Sequence, residues 1–495
     1  MSEEQKTPST KNDYTKPEGS RNLFSYRSDG KAFDYEAEAD WIVLRKDEKP
    51  KAEMFYVRYF LTEETKTPRP VTFVFNGGPG ASSAYLHMGA IGPRRMDFTE
   101  DGLPTAPPYV LKDNGESWLA FSDLVFIDPV GTGFSRMIDE KKEKEEEKGK
   151  KDVEYWQVKR DLESLGEFMA KFLSQFNRWE SPVFLAGESY GGFRVAKLAK
   201  MAQKDYGIGL AGAVLISPAL EFSLLNSSDY DALPWVDTFP TMAEAAAIHG
   251  LSRKIQKGET HEAYRERAAQ FALKELLPVL AAGEIYPEAT RNRVLTTAAD
   301  YIGLPRATVK AKSGRISIEF FVKNLLREKK KLLGLYDISQ IQDDPFPDRD
   351  ELGGPDPTLH TISRVFTAGI NSQLREQIGL KTDRDYELLS MEVNQSWKDD
   401  TRSHSLDGLT GATDELRYGM SLNSHMEVYI THGLYDLVTP YFSTDRLAAL
   451  MKLTEDQRKK LTVRHYPGGH MFYGRASSRI ALFEDMKNFY KRALG

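Results

Sequence analysis

The chain has 495 residues, 40% of them hydrophobic, which is enough for a large core with an insertion or a second domain. Its net charge of −6 is small for that length and gives no electrostatic reason to expect nucleic acid or an anionic membrane as a partner. The absence of cysteine excludes disulfides, thiolate catalysis and cysteine-bound metals.

Residues 1–22 are polar and lack the apolar stretch of a secretion signal, and no apolar run reaches the roughly 18 residues a spanning helix needs. The expectation is a soluble protein of the cytoplasm, reversed if an export signal was removed ahead of Met1. Residues 1–21 read as a solvated tail. Residues 33–44 and 52–61 alternate in strand fashion around the turn-prone 46–50 and predict a hairpin at a sheet edge. Residues 71–75, Val-Thr-Phe-Val-Phe, have the composition of a strand buried in a parallel sheet. Strands are also expected at 124–127, 182–186 and 211–216, with helices at 153–179 and 193–204. The run of Lys and Glu at 139–152 reads as an exposed segment.

From 217 to 424 the pattern turns helical, with helices expected at 242–248, 261–280, 287–301, 316–333 and 359–377 and an acidic, proline-rich solvated linker at 342–357. Strands resume at 427–431 and 461–465, with helices at 442–452 and 477–493. The predicted organisation is an α/β core, a mainly parallel sheet flanked by helices, over 22–216 and 425–495. A mostly helical cap insertion over 217–424 walls off the site.

The core carries the chemistry. Gly187-Glu188-Ser189-Tyr190-Gly191 lies between a strand and a helix, the setting in which Gly-x-Ser-x-Gly forms a nucleophile elbow. A serine hydroxyl needs a neighbouring base to become nucleophilic, and an acid to orient that base. In this architecture the partners follow in the order acid, then histidine, each after a late strand. Asp436 ends the loop after 427–431, and His470 follows Gly468-Gly469 after 461–465. The expected triad is Ser189, Asp436 and His470. Asp445, His432 and His465 are rivals that fall within or at the ends of regular elements. The loop Asn76-Gly77-Gly78-Pro79-Gly80 directly follows a central strand, and the Gly78 and Tyr190 amides are the expected oxyanion hole. This chemistry calls for no metal and no cofactor.

These motifs, with Gly92-Pro93, Asn114 to Ser117-Trp118, the loop Pro129 to Ser135, Gly192 and Gly469-His470-Met471, resemble the serine carboxypeptidase family, peptidase family S10. The resemblance covers about 71–218 and 427–475. It implies an α/β-hydrolase fold and removal of C-terminal residues from peptides through an acyl-enzyme. It also implies that Asn76, Gly77 and Glu188 hold the terminal carboxylate of the substrate. The family's second glutamate, which hydrogen-bonds the first, corresponds to Ala90 here; the family tryptophan and cysteine correspond to Val74 and Ala81. A lone ionised Glu188 would repel a carboxylate. Either Glu188 is protonated on binding, another donor compensates, or the substrate is no free carboxylate. Arg94 and Arg95 are candidates for a clamp or for ordinary surface residues. Beside the carboxypeptidase reading stand an esterase or acyltransferase on the same triad, a prolyl aminopeptidase, whose loop usually begins with histidine rather than Asn76, and an inactive scaffold.

Overall fold

A computed structural model describes residues 14–28, 31–63, 65, 67–138, 154–354, 356–401, 404 and 409–495. The charged run expected at 139–152 and residues 1–13 of the expected tail lie outside the described residues. Residues 14–21 are not free: Tyr14 hydrogen-bonds Glu53, Lys16 pairs with Asp40, and a strand starts at Ser20.

The strands of the main sheet are β1 (Ser20–Ser28), β2 (Lys31–Lys46), β3 (Lys49–Leu61), β4 (Val71–Phe75), β5 (Asp123–Ile127), β6 (Arg136–Met137), β7 (Val183–Glu188), β8 (Leu210–Ile216), β9 (Glu427–Thr431) and β10 (Leu461–Val463). They lie in the order β1-β2-β3-β5-β4-β7-β8-β9-β10, with β6 beside β3. β1, β2, β3 and β5 pair antiparallel, and every pairing from β5 to β10 is parallel. The antiparallel end alternates: Tyr35, Ala37, Ala39 and Trp41 are buried on one face of β2, while Glu36 and Glu38 on the other bind Arg58 of β3 at 2.5 and 2.6 Å. β4 is buried on both faces, as an interior parallel strand must be.

Helices α1 (Val158–Gln175) and α2 (Tyr190–Asp205) cover one face through Leu165, Phe172, Val195 and Leu198 against Phe73 and Leu185. The C-terminal helix (Ala476–Leu494) covers the other, with Phe483, Met486 and Phe489 packed with Phe184 and Val214.

The insertion is less uniform than its sequence suggests. Helices α3 (Leu233–Ile248), α4 (His261–Phe271) and α5 (Glu288–Ile302) form a separate cluster around Val236, Tyr264, Val294 and Tyr301, seated on Leu437, Tyr441 and Phe442. Helix α6 (Pro357–Asn371) instead joins the core of the sheet through Ile362, Val365, Phe366 and Ile370. Helix α7 (Thr413–Leu422) lies on α2, where Gly419 lets the chain approach the backbone of Ala199. The helix expected over 316–333 is Ile318–Asn324; Lys330 takes a left-handed conformation, and Lys331–Leu333 pairs with Ile341–Asp343 as a two-stranded ribbon. Apolar spacing alone does not separate these outcomes. The expected linker after it is partly structural: Asp344 is buried against Lys323 at 2.6 Å, and Asp356 caps α6.

Candidate active site

Ser189 stands where β7 turns into α2, with φ 62° and ψ −124°, a strained conformation for a non-glycine residue. The strain is held by Ser189 N–H donating to Ile216 O at 3.0 Å and by the Gly192 and Ala219 amides donating to Ser189 O at 2.9 and 3.1 Å. The flanking glycines serve close approach: a Cβ on Gly191 would lie 2.5 Å from Phe75 O, and one on Gly187 would overlap the Gly191 carbonyl. The turn is fastened beneath by Arg194 of α2, which grips Asp161 of α1 at 2.8 and 3.0 Å and donates to Asn76 O at 2.6 Å.

Asp436 and His470 leave the ends of β9 and β10 and meet. His470 Nδ1 lies 2.6 Å from Asp436 Oδ2, and both side chains are buried. Asp436 is itself held by the Val438 and Thr439 amides at 2.8 and 3.2 Å and by Thr439 Oγ1 at 2.7 Å. The histidine backbone is pinned by its N–H to Tyr336 O at 2.6 Å and by Ser217 Oγ to its carbonyl at 2.9 Å. Burial alone would disfavour the imidazolium, but Asp436, with a smaller contribution from Glu188, outweighs it and raises the His470 pKa. An imidazole bound through Nδ1 to a carboxylate presents Nε2 as a proton acceptor.

One cavity of about 450 Å³ is lined by Asn76, Gly77, Gly78, Glu188, Ser189 and His470, with Tyr85, Tyr336, Leu359 and Met471 among its other walls. Gly78, at φ 94°, takes a conformation that needs glycine. Gly77 lies so close to α2 that a Cβ there would sit 2.7 Å from Gly191 N, with Tyr190 N nearer still. The Tyr190 amide, in the first turn of α2, has no i−4 carbonyl partner; its ring is buried and stacked on Phe193 at 5.0 Å. All eight residues picked from the sequence therefore gather at this place, Tyr190 through its backbone. Arg94 and Arg95 do not line the cavity: Arg94 reaches Gln377, Leu111 O and Asp113, and Arg95 reaches Met96 O. Among the described residues, no group of three or more His, Asp or Glu side chains is placed to hold a metal ion.

Glu188 is buried beside the cavity. Its Oε2 accepts from Asn76 Nδ2 and, at 3.0 Å, from Tyr473 Oη, and its Oε1 has no hydrogen-bond partner among the described residues. Burial pushes its pKa up to about 7, against the opposing pull of His470, Tyr473 and Asn76. Tyr473 thus supplies the second donor to Glu188, its ring lying over Gly89 next to Ala90. Sequence reasoning missed Tyr473, for which no spacing rule existed. It also missed Thr439, where Asp-x-x-Thr after a strand was a readable side-chain turn signal, and the Asp161–Arg194 pair. A second cavity of about 390 Å³ adjoins the first through Tyr336 and Met471 and is lined in part by Tyr473.

A mainly parallel sheet flanked by helices, with a serine on a strained strand-to-helix turn and its acid and histidine neighbours at the ends of later strands, defines an α/β-hydrolase. The chain matches the family described as serine carboxypeptidase over residues 30–479 and belongs to that family. Over 183 residues it is 32% identical to serine carboxypeptidase-like 46 of Arabidopsis thaliana, covering 36% of this chain and 35% of that protein. Over 170 residues it is 28% identical to the pheromone-processing carboxypeptidase kex1 of Neosartorya fischeri, covering 32% of this chain and 22% of that protein. The similarity spans about a third of the length of the first of these relatives. Among solved structures, a proline iminopeptidase of Mycobacterium smegmatis aligns with a TM-score of 0.38 at 13% identity, covering 92% of this chain and 99% of that one. Among the described residues, no helix is long and apolar enough to cross a membrane.

Proposed function

We propose that the protein is a serine-type carboxypeptidase that removes C-terminal residues from peptides. Ser189 Oγ attacks the last peptide carbonyl, and His470 Nε2 takes the hydroxyl proton and delivers it to the departing amine. Asp436 keeps the proton of neutral His470 on Nδ1 and stabilises the imidazolium formed on attack. The Gly78 and Tyr190 amides receive the charge that develops on the carbonyl oxygen. The acyl-serine is then hydrolysed by water activated at the same histidine.

The observation that carries the exopeptidase reading is the state of Glu188. A buried carboxyl next to the nucleophile, with one oxygen unpartnered among the described residues and a pKa near neutrality, is suited to hold a proton and donate it to a substrate carboxylate. Asn76 and the Gly77 backbone stand beside it on the same cavity. A peptide whose terminal carboxyl is held there presents its last peptide bond to Ser189 on the same cavity.

The test is incubation with N-acetyl-phenylalanyl-leucine, its C-terminal amide and its methyl ester, with products followed by mass. Release of leucine from the free acid, faster than the corresponding cleavage of the amide and lost in Ser189→Ala, is expected. Cleavage of the amide and ester without action on the free acid would overturn the carboxypeptidase reading in favour of the esterase one, for which Ala90 in place of a second carboxyl is the favouring feature.

A further inference from the structure

Resting on the carboxypeptidase reading, the hydrogen-bond valence of Glu188 leads one step further. A carboxyl oxygen accepts through two lone pairs. Oε2 has both in use, one toward Asn76 Nδ2 and one toward Tyr473 Oη at 3.0 Å, while Oε1 has no partner among the described residues. A proton on Oε2 would displace one of those donors. The proton of neutral Glu188 therefore belongs on Oε1, the oxygen left for a ligand.

We propose that Tyr473 is the positioning residue that places the Glu188 proton on Oε1 and so makes the site a reader of terminal carboxylates. Tyr473 is suited to that task by its surroundings. It is fully buried, three residues beyond His470, and its ring sits where Gly89 has no side chain: a Cβ there would lie 2.6 Å from ring Cε2. Burial, together with the neighbouring Glu188, pushes the phenol pKa well above its usual value, so the hydroxyl stays protonated where Glu188 titrates. The other titratable groups that act on Glu188 are His470, Asp436 and Tyr85. None of these three is hydrogen-bonded to Oε2.

Losing the tyrosine hydroxyl has two separable effects. Oε2 regains a free lone pair, so the proton is shared between the oxygens and the donor toward the substrate is no longer fixed. Glu188 also loses a hydrogen bond that favours its charged form, so it deprotonates at higher pH. A residue that merely filled space would weaken binding without moving the titration.

The experiment compares Ser189→Ala with Ser189→Ala/Tyr473→Phe by calorimetry, using N-acetyl-phenylalanyl-leucine and its methyl ester from mildly acidic to mildly alkaline pH. In the double variant the free acid is expected to bind about twofold more weakly on the acidic side, because a proton shared between two oxygens leaves the donor facing the ligand about half the time. The pH at which its binding is lost is expected to move upward, while the ester binds as before. Unchanged ester binding also reports an intact site. Equal weakening of acid and ester, or an unmoved titration, would overturn the role of Tyr473. Failure of Ser189→Ala itself to prefer the acid over the ester would overturn the carboxypeptidase reading instead.

Discussion

Catalysis by the proposed route needs opposite protonation at neighbouring residues: Glu188 must hold a proton to receive a carboxylate, and His470 must lack one to accept from Ser189. The two attract each other when charged, because Glu188 raises the His470 pKa and His470 opposes the rise at Glu188. The productive state is therefore confined to a window. Its acid limb follows His470, raised above the usual histidine value, and its alkaline limb follows Glu188, near pH 7. Glu188→Gln replaces the titrating group with a permanently neutral one whose amide can donate from the Oε1 position. Turnover of free-acid peptides is then expected to lose its alkaline limb, and the acid limb moves down because His470 no longer has a carboxylate partner in Glu188. Steady-state profiles of kcat/KM against pH check this; a variant with both limbs in place would mean that Glu188 does not titrate in the productive range.

At the scale of elements, the elbow depends on how α1 and α2 are tied together. The Asp161–Arg194 pair is almost wholly buried, with side-chain exposures of 3% and 1%. Removing one partner from such a pair leaves a buried, uncompensated charge, which costs about 3–5 kcal/mol. Asp161→Ala is expected to lower the unfolding free energy by that amount in denaturant titrations and to loosen the strand-to-helix turn, because Arg194 also holds Asn76 O. Replacing both by apolar residues should recover most of the stability. Neither residue stood out in the chain, because a lone Asp and Arg on two amphipathic helices look like solvated charges until the helices are stacked. The strands were legible for the opposite reason: runs such as Val71–Phe75 carry their burial in their composition. The residues of the proposed triad were legible because glycines and strand ends mark each loop, whereas Tyr473 sits in a turn whose partner lies 285 positions away in sequence. The ribbon of Lys331–Leu333 was misread as helix because Leu332 and Leu333 continue the apolar spacing of Phe321 and Leu325.

Across the whole molecule, the insertion is joined to the sheet through buried polar groups as well as through apolar packing. Gln373 Nε2 donates to Tyr59 Oη at 3.0 Å; Tyr59 Oη lies 2.6 Å from His87 Nε2; and the His87 ring stacks on Phe126 at 4.1 Å. The chain of contacts runs from the segment after α6, through β3, to β5. With Gln373 donating to Tyr59, the phenol donates in turn to His87 Nε2, which requires a neutral imidazole. Burial pushes the His87 pKa down to about 3, from an ordinary 6.5. Below pH 6.5 the unfolded chain binds a proton that the folded protein refuses, so stability falls as pH drops from 6.5 toward 3. The slope for one such group is about 1.4 kcal/mol per pH unit. His87→Phe keeps the stack on Phe126 and removes the titration, at the cost of leaving the Tyr59 hydroxyl without its acceptor. The variant is expected to be less stable than the parent at neutral pH, with the gap closing by about 1.4 kcal/mol for each unit of acidification below 6.5. Taking the difference between the two proteins cancels the contribution of His432, the other buried histidine whose pKa is lowered. Parallel stability curves, with a gap independent of pH, would mean that His87 is protonated in the fold and that the Tyr59 hydrogen bond runs the other way.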